Sequence, residues 1–229
     1  MKARAAPALL ASLALALALT LTLGGCAGTP PPDWALDAQG ALQRATAAQL
    51  SGEQRIAEHE RAIARAALAR TGRADLLARA ELVWCAAEVA RLEFQPCAAF
   101  ETLRQDAAAA ELAYADHLLA PLAAGRLALL PAAQQALAAP PDGSAGDVTR
   151  LRAVADPLSR LVGAALWLRD GRASAAVIAE AVDTASAQGW RRPLLAWLQA
   201  QKLRAGRDGD AILAARAQRR IDLVLGTPR

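Results

Sequence analysis

From Asp33 to the C-terminus no stretch alternates apolar and polar residues with the period of two that a half-buried strand requires, and β-branched residues are sparse. Alanine and leucine, both strong helix formers, recur instead at intervals of three and four. The pattern predicts an all-α chain built from antiparallel helix pairs. With 55% of its residues hydrophobic, the chain can cover a sizeable core, and disorder is excluded as its general state.

The boundaries follow from local signals. A helix is expected from Asp33, with Trp34 packed into the fold at its start. Ser51-Gly52-Glu53-Gln54 has the spacing of a capping box. It predicts a helix from about Glu53 to Arg70 that presents Ile56, Ile63 and Ala67 on one side, ended by Thr71-Gly72. From Arg73 to about Phe94 apolar residues occupy more than one face, with Leu76, Ala80, Val83, Ala87, Ala90 and Phe94 on one side and Leu82, Val89 and Leu92 towards another. Such a helix needs neighbours all round and belongs at the centre. Gln95-Pro96 interrupts it, because proline lacks the N–H and restricts the residue before it.

A further helix is predicted from about Ala98 to Ala120, with Phe100, Leu103, Ala107, Ala110, Tyr114 and Leu118 as its stripe. Pro121, Gly125 and Pro131 then cut the chain into short pieces. Residues 140–147, which begin Pro140-Pro141-Asp142-Gly143-Ser144, read as the clearest loop. They divide the body into a helical part over 34–139 and a second over 148–229.

The N-terminus has a different character. Lys2 and Arg4 precede an uncharged run from Ala8 to Leu23, shorter than the roughly 20 residues of a membrane-spanning helix. Its proportions are those of a signal-peptide core. Small residues then lead directly into a cysteine, and Leu23-Gly24-Gly25-Cys26 resembles the lipobox of bacterial lipoproteins. The resemblance implies a signal peptide over 1–25, cleavage after Gly25, and a mature chain that begins at Cys26 with diacylglyceryl on its sulfur and an acyl chain on its new amino group. One acyl chain anchors a protein marginally, whereas several hold it stably. Ala27, where an aspartate would favour retention in the inner membrane, implies the outer membrane, with the periplasmic face expected. Residues 26–33, which include Pro30-Pro31-Pro32, form a proline-rich tether of about 3.1 Å per residue.

One internal repeat stands out. Leu168-Arg169-Asp170-Gly171-Arg172 recurs 35 residues later as Leu203-Arg204-Ala205-Gly206-Arg207, and Ala176-Val177-Ile178-Ala179 is answered by Ala211-Ile212-Leu213-Ala214. The period and the glycine between two helical segments resemble tetratricopeptide repeats, although most of that family's aromatic positions hold alanine, leucine or charged residues here. The resemblance implies a short stack of helix pairs.

Chemistry is thinly signposted. Lys2 and Arg4 lie in the signal peptide, so the mature chain keeps 24 of the 26 basic residues against 22 acidic ones, and its charge points to no polyanionic partner. Arg191-Arg192 and Arg219-Arg220 read as solvated helix faces, and no nucleic acid is expected. With Cys26 lipidated, two cysteines remain, and an oxidising compartment favours a Cys85–Cys97 disulfide. An unbroken helix to Phe94 would leave Cys85 about 13 Å back along it, beyond the roughly 4.4–6.8 Å between Cα atoms that the bond spans. The disulfide therefore requires the chain to leave the helix near Arg91 and fold back; two buried free thiols are the other reading.

His59 and His117 sit beside carboxylates yet lack the second histidine of a zinc-protease helix, and read as core-edge residues. Gly143-Ser144-Ala145-Gly146 is not a nucleophile elbow. Glu81 and Glu88 share a helix face and read as solvated or salt-bridged. No catalytic residue, metal site or cofactor is assigned. The expected function is a lipid-anchored envelope scaffold or adaptor for a protein partner, with a periplasmic ligand- or glycan-binding domain, or an enzyme with an unrecognised site, as the alternative. An apolar pocket with converging polar groups would favour the alternative; a broad groove would favour the adaptor.

Overall fold

A computed structural model describes residues 30–226. The lipobox, with Cys26, lies outside the described residues. Among those residues there is no strand, and the fold is all-α. Pro32, with φ −62° and ψ 150°, has polyproline geometry.

Helix α1 (Asp33–Ser51) and helix α2 (Gln54–Ala69) form an antiparallel hairpin. Gly52 joins them at φ 93°, and the N–H groups of Gly52 and Glu53 both donate to the Ala48 carbonyl. Because the turn consumes Ser51 as the end of α1, the capping box does not form; Gln54 instead donates to Glu58 and accepts from Arg192. The hairpin interface is alanine: Ala41, Ala45 and Ala57 are fully buried and Ala64 nearly so. Small side chains let the two backbones approach closely, which turns Ile56 and Ile63 outward, against expectation, while Ala67 is buried as expected. Trp34 packs against Ala38, Ala67, Leu68 and Ala80.

Helix α3 (Ala74–Ala90) is central, buried on almost every side, as its apolar pattern predicts. It stops at Ala90, well before Pro96. Leu92 adopts φ 66°, its N–H donates to Val89, and the Glu93 N–H reaches back to the Glu88 carbonyl, a left-handed helix cap built without glycine. The chain then doubles back and bonds Cys97 to Cys85 across a Cα–Cα distance of 5.7 Å.

The helix expected over 98–120 is instead three pieces: α4 (Ala98–Glu101), a 3-10 turn (Arg104–Asp106) and α5 (Ala109–Leu119). Tertiary anchoring overrides alanine's propensity here. Cys97 and Phe100 are fixed in the core, and Arg104 binds both Glu101 and Asp116, which closes the turn between the pieces. A second 3-10 segment (Ala124–Leu129) and α6 (Ala132–Leu137) follow, as the proline and glycine breaks predicted.

The proline–glycine loop ends earlier than its composition suggests. Ser144 caps α7 (Ala145–Ala153), and buried Asp147 accepts from the backbone N–H groups of Asp142 and Gly143. Helix α8 (Pro157–Arg169) is capped by Asp156, and α9 (Ala175–Ala187) by Ser174. They precede α10 (Arg191–Arg207) and α11 (Ala211–Leu225). The two copies of the repeat fall at corresponding helix ends, yet Gly171 turns the chain at φ 71° whereas Gly206 stays helical and Gly209, at φ 77°, makes the turn.

One core joins the regions on either side of the loop, running from Ala78 through Phe100, Leu118 and Leu161 to Ile221. Two indoles stitch it. Trp197 Nε1 donates to the Ala90 carbonyl at 3.0 Å, and Trp167 Nε1 to the Leu137 carbonyl at 3.0 Å. Gly163 lets Leu137 lie directly on α8, since a Cβ there would come within 2.2 Å of a Leu137 methyl.

Candidate functional site

Because the alanine face of α1 is spent on α2, its other face is free to line a cleft. Leu42, Thr46 and Leu50 face α3 residues Leu82, Val83 and Ala86 across it. The far wall comes from α5, from the start of α8 and from Trp190. The cleft encloses about 740 Å³, within the roughly 300–1,000 Å³ of small-molecule sites.

Polar groups gather at the α3–α5 side. Glu111 is only 5% exposed, and its Oε1 accepts from Arg79 Nε at 2.8 Å and from Arg79 Nη2 at 2.7 Å. Glu111 Oε2 is buried with no partner. Gln134, 1% exposed, donates through Nε2 to the Ser159 carbonyl at 2.9 Å, and its Oε1 is likewise unpartnered. Tyr114 projects into the same region. Burial, and secondarily the negative charge of Asp156, push its phenol above the usual range, so it remains a protonated donor.

Gln134 also belongs to the wall of a second cavity of about 260 Å³, where His117 sits. His117 is 9% exposed and its Nδ1 has no partner. Burial, reinforced by the Arg169 cation, lowers its pKa from 6.5 to about 4. A base with a depressed folded pKa binds its proton more readily in the unfolded chain. Stability is therefore complete above pH 6.5 and falls as the pH drops towards 4. The loss is on the order of 3 kcal/mol. Urea unfolding at pH 7 and pH 4.5 should show it, and His117→Leu should flatten that part of the profile; an unchanged slope would mean that another group carries it.

Leu82, Val83, Ala110 and Tyr114, expected from the sequence as packing residues, line the larger cleft, but none of the residues weighed there for chemistry does. The Cys85–Cys97 bond lies outside it, His59 is exposed on α2, and Ser144 serves as a helix cap. Glu81 is held by Arg61 and Arg65, with the Arg61 guanidinium 4.3 Å from the Trp84 ring centroid, and Glu88 accepts from Trp84 Nε1. The pair is thus salt-bridged and hydrogen-bonded rather than gathered for acid–base work. Among the described residues no cluster of three or more histidine, cysteine or acidic side chains could hold a metal ion. Glu111 was the missed residue. Its signal was a carboxylate seven residues before Leu118, on the edge of the α5 stripe.

Across family models, curated proteins and solved structures the chain has no match, so its reading rests on this cleft and on the sequence.

Proposed function

We propose that this is a lipid-anchored cell-envelope protein, tethered through Cys26 with the outer membrane favoured, whose helical body holds a small apolar ligand in the α1–α3–α5 cleft. The observation that carries the reading is an aliphatic cleft of about 740 Å³ with a carboxylate, 5% exposed, on its wall. Burying a carboxylate is costly unless it is paired, and Glu111 is paired through only one oxygen.

Purification of the anchored chain followed by native mass spectrometry tests it. The expected result is a bound small molecule that is lost in Val83→Trp, a substitution that fills the cleft from α3, with helical circular dichroism unchanged. A cleft found empty under mild purification, with Val83→Trp indistinguishable from the parent, would sink the reading. The anchor has its own test: the mature mass should match an acylated chain beginning at Cys26, and Cys26→Ala should leave the membrane fraction.

The adaptor reading draws on a different surface. Ile212 and Leu223 are 75% and 77% exposed on α11. Eleven residues separate them, three helical turns, so they share one face. Stoichiometric recovery of one protein from crosslinked envelopes, abolished by Leu223→Glu, would favour that reading over the cleft.

A further inference from the structure

Among the described residues the exposed large apolar side chains gather mainly in two places: the C-terminal helices α10 and α11, and the solvent side of the α1–α2 hairpin. On the hairpin, Leu36 and Ile56 are each 52% exposed and Ile63 is 38% exposed. Ile56 precedes Ile63 by seven residues, about two helical turns, so both lie on one side of α2. Leu36 and Ile63 line a groove of about 490 Å³ together with Ala66 and Ala67, and its charged members are Asp37, Arg44 and Arg70.

The charges of this groove cancel. Arg44 pairs with Glu60 at 2.9 Å and lies in the field of Asp37, which leaves Arg70 to balance the second carboxylate. A neutral groove attracts neither a polyanion nor a polycation. What it offers is apolar surface beside arginine stems that can lie along it while their heads stay in water. Position then separates it from the C-terminal patch. Helix α1 begins seven residues after Cys26, about 22 Å of polyproline-like chain, and Leu36 stands in its first turn. Helix α10 meets the hairpin at the opposite end, where Arg192 donates to Gln54, about 28 Å away along the 19 residues of α1.

Resting on the lipid anchor at Cys26, we propose that the Leu36–Ile63 groove is a lipid-contacting face: the hairpin lies along the bilayer that holds the anchor, with Leu36, Ile56 and Ile63 in the headgroup boundary. An interfacial helix buries its apolar face about 5–10 Å into that boundary. The tether keeps the start of α1 close to it, so docking is an intramolecular step, and three side chains hold a face that a free chain would hold weakly. Because the charges cancel, entry depends on apolar area and not on anionic lipid.

The test reconstitutes the full chain, purified with its anchor, into phosphatidylcholine vesicles with and without phosphatidylglycerol. The vesicles carry a phospholipid with a photoreactive group near the headgroup end of its acyl chain, and labelled peptides are mapped by mass spectrometry. Labelling should fall on the peptides that contain Leu36, Ile56 and Ile63, well above that of the α11 peptides, and phosphatidylglycerol should not change it. Ile212 and Leu223 are the more exposed side chains, so labelling by exposure alone would give the reverse order. Leu36→Glu combined with Ile63→Glu changes only exposed positions. It should lower hairpin labelling about tenfold, the factor that partial burial of one or two such side chains supplies, while the chain stays in the membrane fraction. Labelling of α11 equal to that of the hairpin, hairpin labelling that requires phosphatidylglycerol, a double variant labelled like the parent, or no labelling of the hairpin each overturns the lipid-contacting face and leaves the anchor standing. A mature chain whose mass includes no acyl group overturns the anchor and the face with it.

Discussion

Trp197→Ala is expected to destabilise the protein by about 3–5 kcal/mol, the range for deleting a large aromatic from a closed core. Trp197 is fully buried, and its indole donates from α10 to the Ala90 carbonyl at the end of α3. For a domain of this size each kcal/mol moves Tm by roughly 2–4 °C, so a fall of about 6–20 °C should be seen by circular dichroism. Trp197→Phe separates the two contributions. It keeps most of the ring but leaves the Ala90 carbonyl unpaired, which costs about 1–3 kcal/mol. If phenylalanine proves as harmful as alanine, the hydrogen bond rather than the packing dominates; a loss below about 1 kcal/mol for alanine would remove Trp197 from the core altogether.

Breaking the Cys85–Cys97 bond should cost nearly as much. The two cysteines are 12 residues apart, and closing a loop of that order restricts the unfolded chain by about 3 kcal/mol in the chain-entropy account. The bond also holds the returning segment against α3 and leaves Phe100 fully buried. A Cys85→Ala, Cys97→Ala double variant should unfold at a temperature lower by roughly 6–12 °C. Reductant should lower the parent's Tm by a similar amount and leave the double variant unmoved. A parent indifferent to reductant would mean that packing alone holds the segment.

Much of this architecture was legible because it depends on local chemistry. The helical class follows from the spacing of alanine and leucine, and the central place of α3 from its apolar residues on several faces. The disulfide carried its own geometrical condition, departure from the helix near Arg91, and the chain meets it. What escaped was decided at a distance. The sequence around Leu92 contains no glycine to announce a left-handed cap, and the turn is stabilised by the return of Cys97 and by Leu92 packing on the core. Alanines at 107–110 favour continuing the helix, yet Arg104 closing on Asp116 ends it. Ile56 and Ile63 look like core by hydropathy, but alanine permits the closer helix approach and takes the interface. The cleft was hidden for the same reason. Its residues come from α1, α3, α5, α6, α8 and the segments before α6 and α10, and no single stretch of sequence contains enough of them to be noticed.

The two fastenings at the end of α3 differ in when they can close. A chain made from its N-terminus exposes Cys97 soon after Cys85, and the loop between them is short, so the covalent fastening needs little of the protein to exist. The indole that caps the Ala90 carbonyl lies 107 residues further on. Until that late segment arrives, α3 has its clasp but not its lid. The covalent link therefore needs only 12 residues of separation to close, whereas the indole contact waits on nearly the whole chain.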